Sequence, residues 1–506
     1  MTEKKKLSFP SAYTVLFIVL ILATLLTWII PAGKYDTLSY DTDNKVFVIT
    51  HPDESTEEME ATQATLDKLN IKAELDKFTD GTIYKPMAIT GTYQKMERHS
   101  QGFFDFIMAP IQGVYEVIDI ILFIFMIGGM VGIVNFLGVF NEGIEALARV
   151  SKGREQVIIA LVCFLIALGG TSFGMCEETI AFYPILVPIF LKSGYDAMVG
   201  VAAIWMGSCI GCMFSTVNPF SVVIASNAAG INFREGMGIH LVGLIIGVIL
   251  TIGYILRYAR KVKADPSKSI IYESKQHLEE KFLSGDVDAE VAAGKMRTSS
   301  KIILFLFFCV FVVMIYGVVK LEWWFGETAA LFMCAGVVFG IIGRMSEKDI
   351  CRVFIGGASD LVGVALVCGL ARGVNYLMEN GMISDTLLYT MSGWVKGMNP
   401  IVFICVMMVI YIILGFFINS SSGLAMLSIP IMAPLADAVG LPRSTVISAY
   451  IYGLGLIGVV TPTGLILPVL EMIDTTYNKW LKFIWPLCII YFVFGLIMLI
   501  AQVMIG

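Results

Sequence analysis

The run GGTSFGMCEET at residues 169–179 sets Glu177 and Glu178 beside a glycine-rich break between two apolar segments. A carboxylate inside a bilayer is costly unless it is paired, so by default such residues mark ligand or ion pathways. Adjacent residues on a helix point about 100° apart, so the two glutamates serve separate partners rather than one ligand atom. One would bind the guanidinium or ammonium of a cationic substrate, and the other would carry a proton or hold its segment in place. The competing reading is that both only satisfy a helix N-terminus. Uncharged oxygen and amide groups gather at four breaks: Thr171 and Ser172 in GGTSFG, Ser215, Thr216 and Asn218 in STVNPF, Asn419, Ser420, Ser421 and Ser422 in INSSSG, and Thr461 and Thr463 in TPTG. Such groups suit Na⁺ or a substrate carboxylate, with Ser215, Asn218, Ser421 and Thr461 as candidate Na⁺ ligands, although some are expected to be ordinary helix caps. Arg372 is the only arginine in mid-span and lies three residues before Asn375, on the same helix face. It reads as a partner for a tip glutamate or a substrate carboxylate, or as a side chain snorkelling to an interface. Asp360, twelve residues earlier, is about 18 Å away along a helix and cannot pair with it. His240 reads as a packing residue, and Glu116 and Asp119 as solvated groups at the outer end of a span.

The elements that hold these residues are membrane-spanning. A chain of 506 residues that is 57% hydrophobic and 15% charged carries more apolar surface than a soluble core of that length can hide. Nine apolar segments (12–32, 117–137, 197–228, 236–257, 301–320, 327–343, 359–377, 444–471 and 484–504) are long enough, or nearly so, to cross about 30 Å of hydrocarbon. No cysteine lies in the polar stretch 34–100, so no disulfide framework is indicated, and Cys209 and Cys212 read as core filler. The net charge of −6 carries no functional signal and no nucleic-acid partner is indicated. The first apolar run is too long for a secretory leader and reads as an uncleaved span, residues 1–33. Lys4–Lys6, Arg149–Arg154, Arg257–Lys263 and Arg344–Arg352 fall on one side, the cytoplasm, by the positive-inside rule. The N-terminus is then cytoplasmic, the C-terminus extracytoplasmic, and 34–100 an extracytoplasmic polar loop. Residues 264–300 form a cytoplasmic linker.

The linker joins two halves with a shared skeleton, 101–263 and 301–506. Asn135-Phe136-Leu137 corresponds to Asn375-Tyr376-Leu377, and Pro184, Pro188 and Gly194 correspond in spacing to Pro430, Pro434 and Gly440. A helix-breaking cluster follows each glycine, STVNPF in the first half and TPTG in the second, which makes 197–228 and 444–471 broken helices. The charge rule runs 117–137 and 359–377 in opposite directions, so the repeats are inverted. It also makes 156–192 and 400–436 enter and leave on one face each, as re-entrant hairpins with about 15 apolar residues per arm, fewer than a full span needs. Non-helical backbone at membrane depth must be buried in protein or face a watery cavity, so the four breaks are expected to meet in one site built for alternating access. The chemistry points away from an enzyme: no nucleophile with its base, no facing carboxylate pair and no metal-ligand set is present. A channel accounts for polar breaks but less readily for paired hairpins.

GGTSFGMCEETIAFYPILVP, STVNPF, NSSSGLAMLSIPIMAPL and TPTGLILP together resemble the YfcC family, within the C4-dicarboxylate anaerobic carrier group of the ion transporter superfamily. GMCEETIAFYP and ASDLVGVALVCGLARGVNYLMENGMISDT are most similar to the branch that exchanges arginine for ornithine. The resemblance implies an all-α polytopic protein of the bacterial inner membrane, with nine spans plus two hairpins, an elevator-like movement and a homodimer. It also implies a basic amino acid as substrate, with no cofactor beyond Na⁺ or H⁺ as a coupling ion. The alternative is a Na⁺- or H⁺-coupled C4-dicarboxylate transporter.

Overall fold

A computed structural model describes residues 11–140, 142, 143, 146, 154–283, 296–321 and 323–505. The stretch 141–152, whose mixed polarity at helical spacing suggests an interfacial arm, falls almost wholly outside them. The chain is a polytopic helical membrane protein. Seven of the nine expected spans are long apolar helices: Ala12–Ile29, Ile118–Phe136, Met237–Ala264, Thr298–Lys320, Phe325–Ile342, Val362–Asn380 and Tyr477–Ile505. Large apolar side chains such as Ile249, Phe305, Phe308, Trp485 and Ile497 stay exposed on their outer faces, which a hydrocarbon solvent covers at no cost.

The other two spans are interrupted where the sequence breaks. Ala197–Met213 stops at Phe214 and the chain resumes helically over Pro219–Ala229; Arg443–Gly458 stops at Val459 and resumes over Ile466–Met472. Pro219 explains the first restart, since a proline tolerates only the first turn of a helix. At the second, Val459 O accepts from the indoles of both Trp205 (3.4 Å) and Trp480 (3.1 Å). The carbonyl exposed at this second end is thus satisfied by side chains rather than by lipid.

The two candidate hairpins are helix–break–helix units. The first runs Glu155–Phe173, a non-helical turn at Gly174–Cys176, a tight turn over Glu177–Phe182, and Tyr183–Lys192. The second runs Pro400–Phe417, a break at Ile418–Ser420, and Ser421–Ala438. Three of the four arms have 18 or 19 residues, longer than expected, because the helices extend through the small and hydroxyl residues flanking each tip. Both ends of the first unit are held by the last turns of Met237–Ala264 and the linker. Lys263 pairs with Glu155 at 3.2 Å, Arg260 Nε donates to Gln156 at 3.0 Å, and Asp196, just past the unit, accepts from Tyr258 and Ser269 at 2.6 Å each. The linker helix Lys275–Leu283 packs beneath Tyr183–Lys192, and its Lys281 reaches Asp474 at 2.7 Å.

The largest departure from expectation is 34–100, which is a folded domain and not a loop. Strands Thr56–Glu60, Val46–Thr50, Thr37–Asp41 and Met87–Ala88 pair antiparallel in that order, with Leu38 opposite Ile49 and Tyr40 opposite Phe47. Gly33–Lys34 pairs with Gln94–Lys95 where the domain joins the helices. Phe47 and Ile49 alternate with half-buried Val46 and Val48, and Leu38, Leu66, Phe78 and Met87 complete a small core. The domain rests on helix Ser384–Trp394, within the 380–395 stretch of mixed polarity. Tyr35 N–H donates to Asp385 at 2.9 Å, and Tyr93 stacks on Tyr389 with ring centres 4.1 Å apart.

Candidate functional site

The breaks pair off within each half. In the first half, helix Glu155–Phe173 crosses Ala197–Met213 through glycine: a Cβ on Gly170 would lie 2.7 Å from Ser208 O. That approach brings Thr171 onto the second break. Thr171 Oγ1 accepts from Thr216 N–H at 2.9 Å and lies 3.1 Å from Thr216 Oγ1, while Ser215 Oγ donates to Thr171 O at 3.2 Å. Ser215 Oγ also accepts from Asn218 N–H at 3.1 Å, and Asn218 Oδ1 accepts from Phe220 N–H at 2.9 Å to cap the restarted helix. Gly174 has φ +75°, and a side chain there would collide with Asn218, so the turn that carries the glutamates requires glycine. Ser172 is exposed and folds back on Leu168 O, 2.6 Å away.

In the second half, Asn419 Nδ2 donates to Thr463 O at 3.0 Å, Thr461 and Thr463 hydroxyls meet at 2.7 Å, and Thr463 Oγ1 donates to Phe416 O at 3.1 Å. Ser420 caps its helix by accepting from Gly423 N–H at 3.1 Å. With the Asn375 amide turned so that its nitrogen donates to Phe417 O (2.7 Å), its oxygen accepts from Arg372 Nη1 (3.1 Å). Arg372 and Asn375 therefore flank the second tip rather than a lipid interface.

The halves face each other across Arg372. The two broken helices pack together, and Pro219–Ala229 packs on Ser421–Ala438. Arg372 is within Coulombic range of Glu177, and Asp119 is a second charged neighbour of Glu177. Among the described residues neither Glu177 nor Glu178 makes an ion pair within 4.0 Å, and both are half-buried. The two glutamates now differ. Glu178 closes its own turn by accepting from Cys176 N–H at 3.0 Å, whereas Glu177 has Arg372 and Asp119 as its charged neighbours.

Most hydroxyls at the breaks bond to the backbone: Ser172 and Ser215 donate to carbonyls, and Ser420, like the amide of Asn218, accepts from an N–H at a helix start. The four candidate Na⁺ ligands divide as well: Ser215 and Asn218 belong to the first cluster, Ser421 and Thr461 to the second. Among the described residues no group of three or more His, Cys, Asp or Glu side chains converges as a metal site. All ten thiols are free, and Cys212 Sγ lies 3.6 Å from Gly170 O as a packing group. His240 is buried against Ser448 (2.8 Å) and Tyr452, as a packing residue should be. Asp119, expected to be solvated, accepts from the Trp324 indole at 2.8 Å.

Two charged residues near Arg372, Glu379 and Lys85, went unrecognised, and Glu116, expected to be solvated, is exposed there. Glu379 is seven residues past Arg372 on the same helix face, and Glu116 ends a helix whose Gly113 packs on Gly369 and Gly373 of that helix. Both lie within Coulombic range of Arg372. The heptad spacing was a signal for Glu379. Lys85, from the polar domain, reaches Ser420 Oγ at 3.3 Å, and no local pattern marks it.

Comparison with known proteins finds relatives that match the chain over its full length. The chain is 47% identical to an uncharacterized protein of Haemophilus influenzae over 99% of its own length and 98% of the relative's. It is 28% identical, over 100% and 99%, to an Escherichia coli protein named "Putative basic amino acid antiporter YfcC". The solved YdaH transporter of Alcanivorax borkumensis aligns over 98% of this chain and 99% of its own, at 13% identity and a TM-score of 0.37. Residues 9–504 match the C4-dicarboxylate anaerobic carrier family. The chain belongs to that family and is a membrane transporter of its DcuC/YfcC type.

Proposed function

We propose that the protein exchanges basic amino acids, arginine against ornithine, by alternating access across the bacterial inner membrane. The observation that carries this reading is that Glu177, on the first tip, has as a charged neighbour Arg372, which flanks the second tip through Asn375. A substrate with a cationic side chain and an α-carboxylate finds a partner of opposite charge for each. In this scheme Glu177 binds the guanidinium or ammonium and Glu178 holds the turn. Thr171, Thr216, Asn419, Thr461, Thr463 and the Ser421 hydroxyl form the polar wall that is re-formed in each state. The inverted repeat, an elevator-like movement of the two units, a homodimer and a cytoplasmic N-terminus belong to the same proposal. They are supported by the paired breaks, and by anchoring of the first unit on the linker side while the polar domain contacts the second. One-for-one exchange of like charges needs no coupling ion.

Proteoliposomes loaded with ornithine should take up labelled arginine in saturable counterflow, with cycles no faster than milliseconds. Absent arginine counterflow together with Na⁺-driven succinate or fumarate entry would establish the dicarboxylate reading instead, and single-channel currents would establish a channel. Glu177→Gln should raise the arginine KM at least tenfold, whereas Glu178→Gln should mainly lower the yield and thermal stability of the folded protein. Equal and mild effects of the two would reduce both to helix caps.

A further inference from the structure

The polar domain does more than rest on the helices. Lys85 Nζ lies 3.3 Å from Ser420 Oγ and Tyr84 OH 3.4 Å from Ser422 Oγ, at the tip of the second unit. Five residues on, Thr90 Oγ1 donates to Pro430 O at 2.8 Å. An extended strand from 85 to 90 covers about 16 Å, and a helix from 420 to 430 covers about 15 Å. The strand therefore runs alongside helix Ser421–Ala438 for that whole length, with Met87, Ala88 and Ile89 buried. It delivers Lys85 to the same tip that Arg372 and Asn375 flank from the other side.

Electrostatically this is a poor place to rest a lysine. It stands before the first turn of a helix, whose partial positive charge repels cations. Arg372 adds a second positive charge, and Glu379 is the one acidic neighbour that offsets it. Among the described residues Lys85 has no ion pair within 4.0 Å. Burial first, and the Arg372 charge second, push the Lys85 ammonium below the ordinary lysine range. A strand carried some 15 Å along a helix thus brings one cation within Coulombic range of another, an arrangement that a bound anion would offset.

We infer that Lys85 and Arg372 together bind the carboxylate of the substrate at the tip of the second unit, so that the polar domain contributes a specificity-determining residue to the transport site. This rests on the reading of the breaks as the substrate site. The α-carboxylate bridges Lys85 and Arg372, with the Tyr84 and Ser422 hydroxyls beside it, while the cationic end of an amino acid points towards Glu177.

The test uses the full-length protein in detergent and compares binding of L-arginine with agmatine, which keeps the guanidinium and lacks the carboxylate. Lys85→Gln should weaken L-arginine roughly 10- to 100-fold, the range expected for losing a charged hydrogen bond, and change agmatine less than about threefold. Lys85→Arg should restore part of the loss. Thr90→Val loosens the same strand without touching charge, and should leave the ratio of the two affinities at its wild-type value. Equal weakening of both ligands by Lys85→Gln, or a Thr90→Val variant that mimics it, would reduce Lys85 to a latch and overturn the inference. If the wild type binds succinate and not arginine, the substrate proposal fails separately. Lys85→Gln must then weaken succinate by the same factor, and unchanged succinate affinity overturns the inference.

Discussion

Replacing Gly170 by alanine tests whether the close helix crossing sets the geometry of the first break. The added Cβ would sit 2.7 Å from Ser208 O and 3.1 Å from Gly211 Cα, both backbone atoms that cannot rotate away. Ordinary contact begins near 3.4 Å, so the helices must part by about 3.4 − 2.7 = 0.7 Å. Thr171 adjoins the substitution and moves with it. Its distances to Thr216 N, to Thr216 Oγ1 and, through its carbonyl, to Ser215 Oγ are 2.9, 3.1 and 3.2 Å. Each would pass 3.5 Å if the whole shift fell on it, beyond useful hydrogen bonding. Three neutral hydrogen bonds at about 1 kcal/mol each, partly recovered by relaxation, give a loss of roughly 1–3 kcal/mol, in line with overpacking elsewhere. The assay is counterflow in proteoliposomes, together with thermal inactivation in detergent. Gly253→Ala is the control, since a Cβ there meets nothing within 4 Å on an exposed stretch of Met237–Ala264. It should be neutral, or stabilise by about 0.5–1 kcal/mol through helix propensity. If Gly170→Ala transports and resists heat like the control, the crossing does not position Thr171 and the account of the first cluster is wrong.

Further outcomes follow from other sites. Burial holds the Asp385 carboxyl up at about 6, above its unfolded value, so the folded state binds the extra proton and stability falls as pH rises from about 4 to 6. Asp385→Asn, whose oxygen can still accept from Tyr35 N–H, should remove that slope and raise thermal stability above pH 6 while matching wild type at pH 4. Glu142 is 2% exposed and accepts from Arg297 N–H at 2.9 Å and from its Nε. Glu142→Ala should cost about 1–3 kcal/mol, limited because Arg297 is half exposed and can rehydrate, and accelerated heat inactivation would register it. Replacing Na⁺ by choline should leave arginine–ornithine counterflow unchanged; a strict Na⁺ requirement would contradict simple exchange.

The spans were legible because a run of apolar residues long enough to cross a bilayer has few other uses, and the two broken helices were legible because STVNPF and TPTG cannot stay helical inside such runs. The polar domain was not, although VFVIT between the turn-forming DTDN and HPDE carries the period of two that a half-buried strand needs. Strands of five residues or fewer vanish in a stretch judged by its average polarity. At the site, residue types located the four breaks and Arg372, but could not separate hydroxyls that cap from hydroxyls left free. That distinction depends on which backbone groups each break exposes. The ranking of Glu177 and Glu178 depended on the non-helical turn at Gly174–Cys176, and Lys85 on a strand placed by tertiary pairing alone.

The shared carbonyl of Val459 also makes the second broken helix optically visible. Trp205 and Trp480 are 2% and 0% exposed and both bond to that oxygen, whereas Trp28, Trp324, Trp394 and Trp485 are each more than half exposed. The emission that neither water-borne nor lipid-borne quenchers reach therefore belongs mainly to the two indoles at the break. Any rearrangement of that carbonyl during turnover will alter their spectrum and quenching, giving the unlabelled protein its own reporter of the step in which the break changes partners.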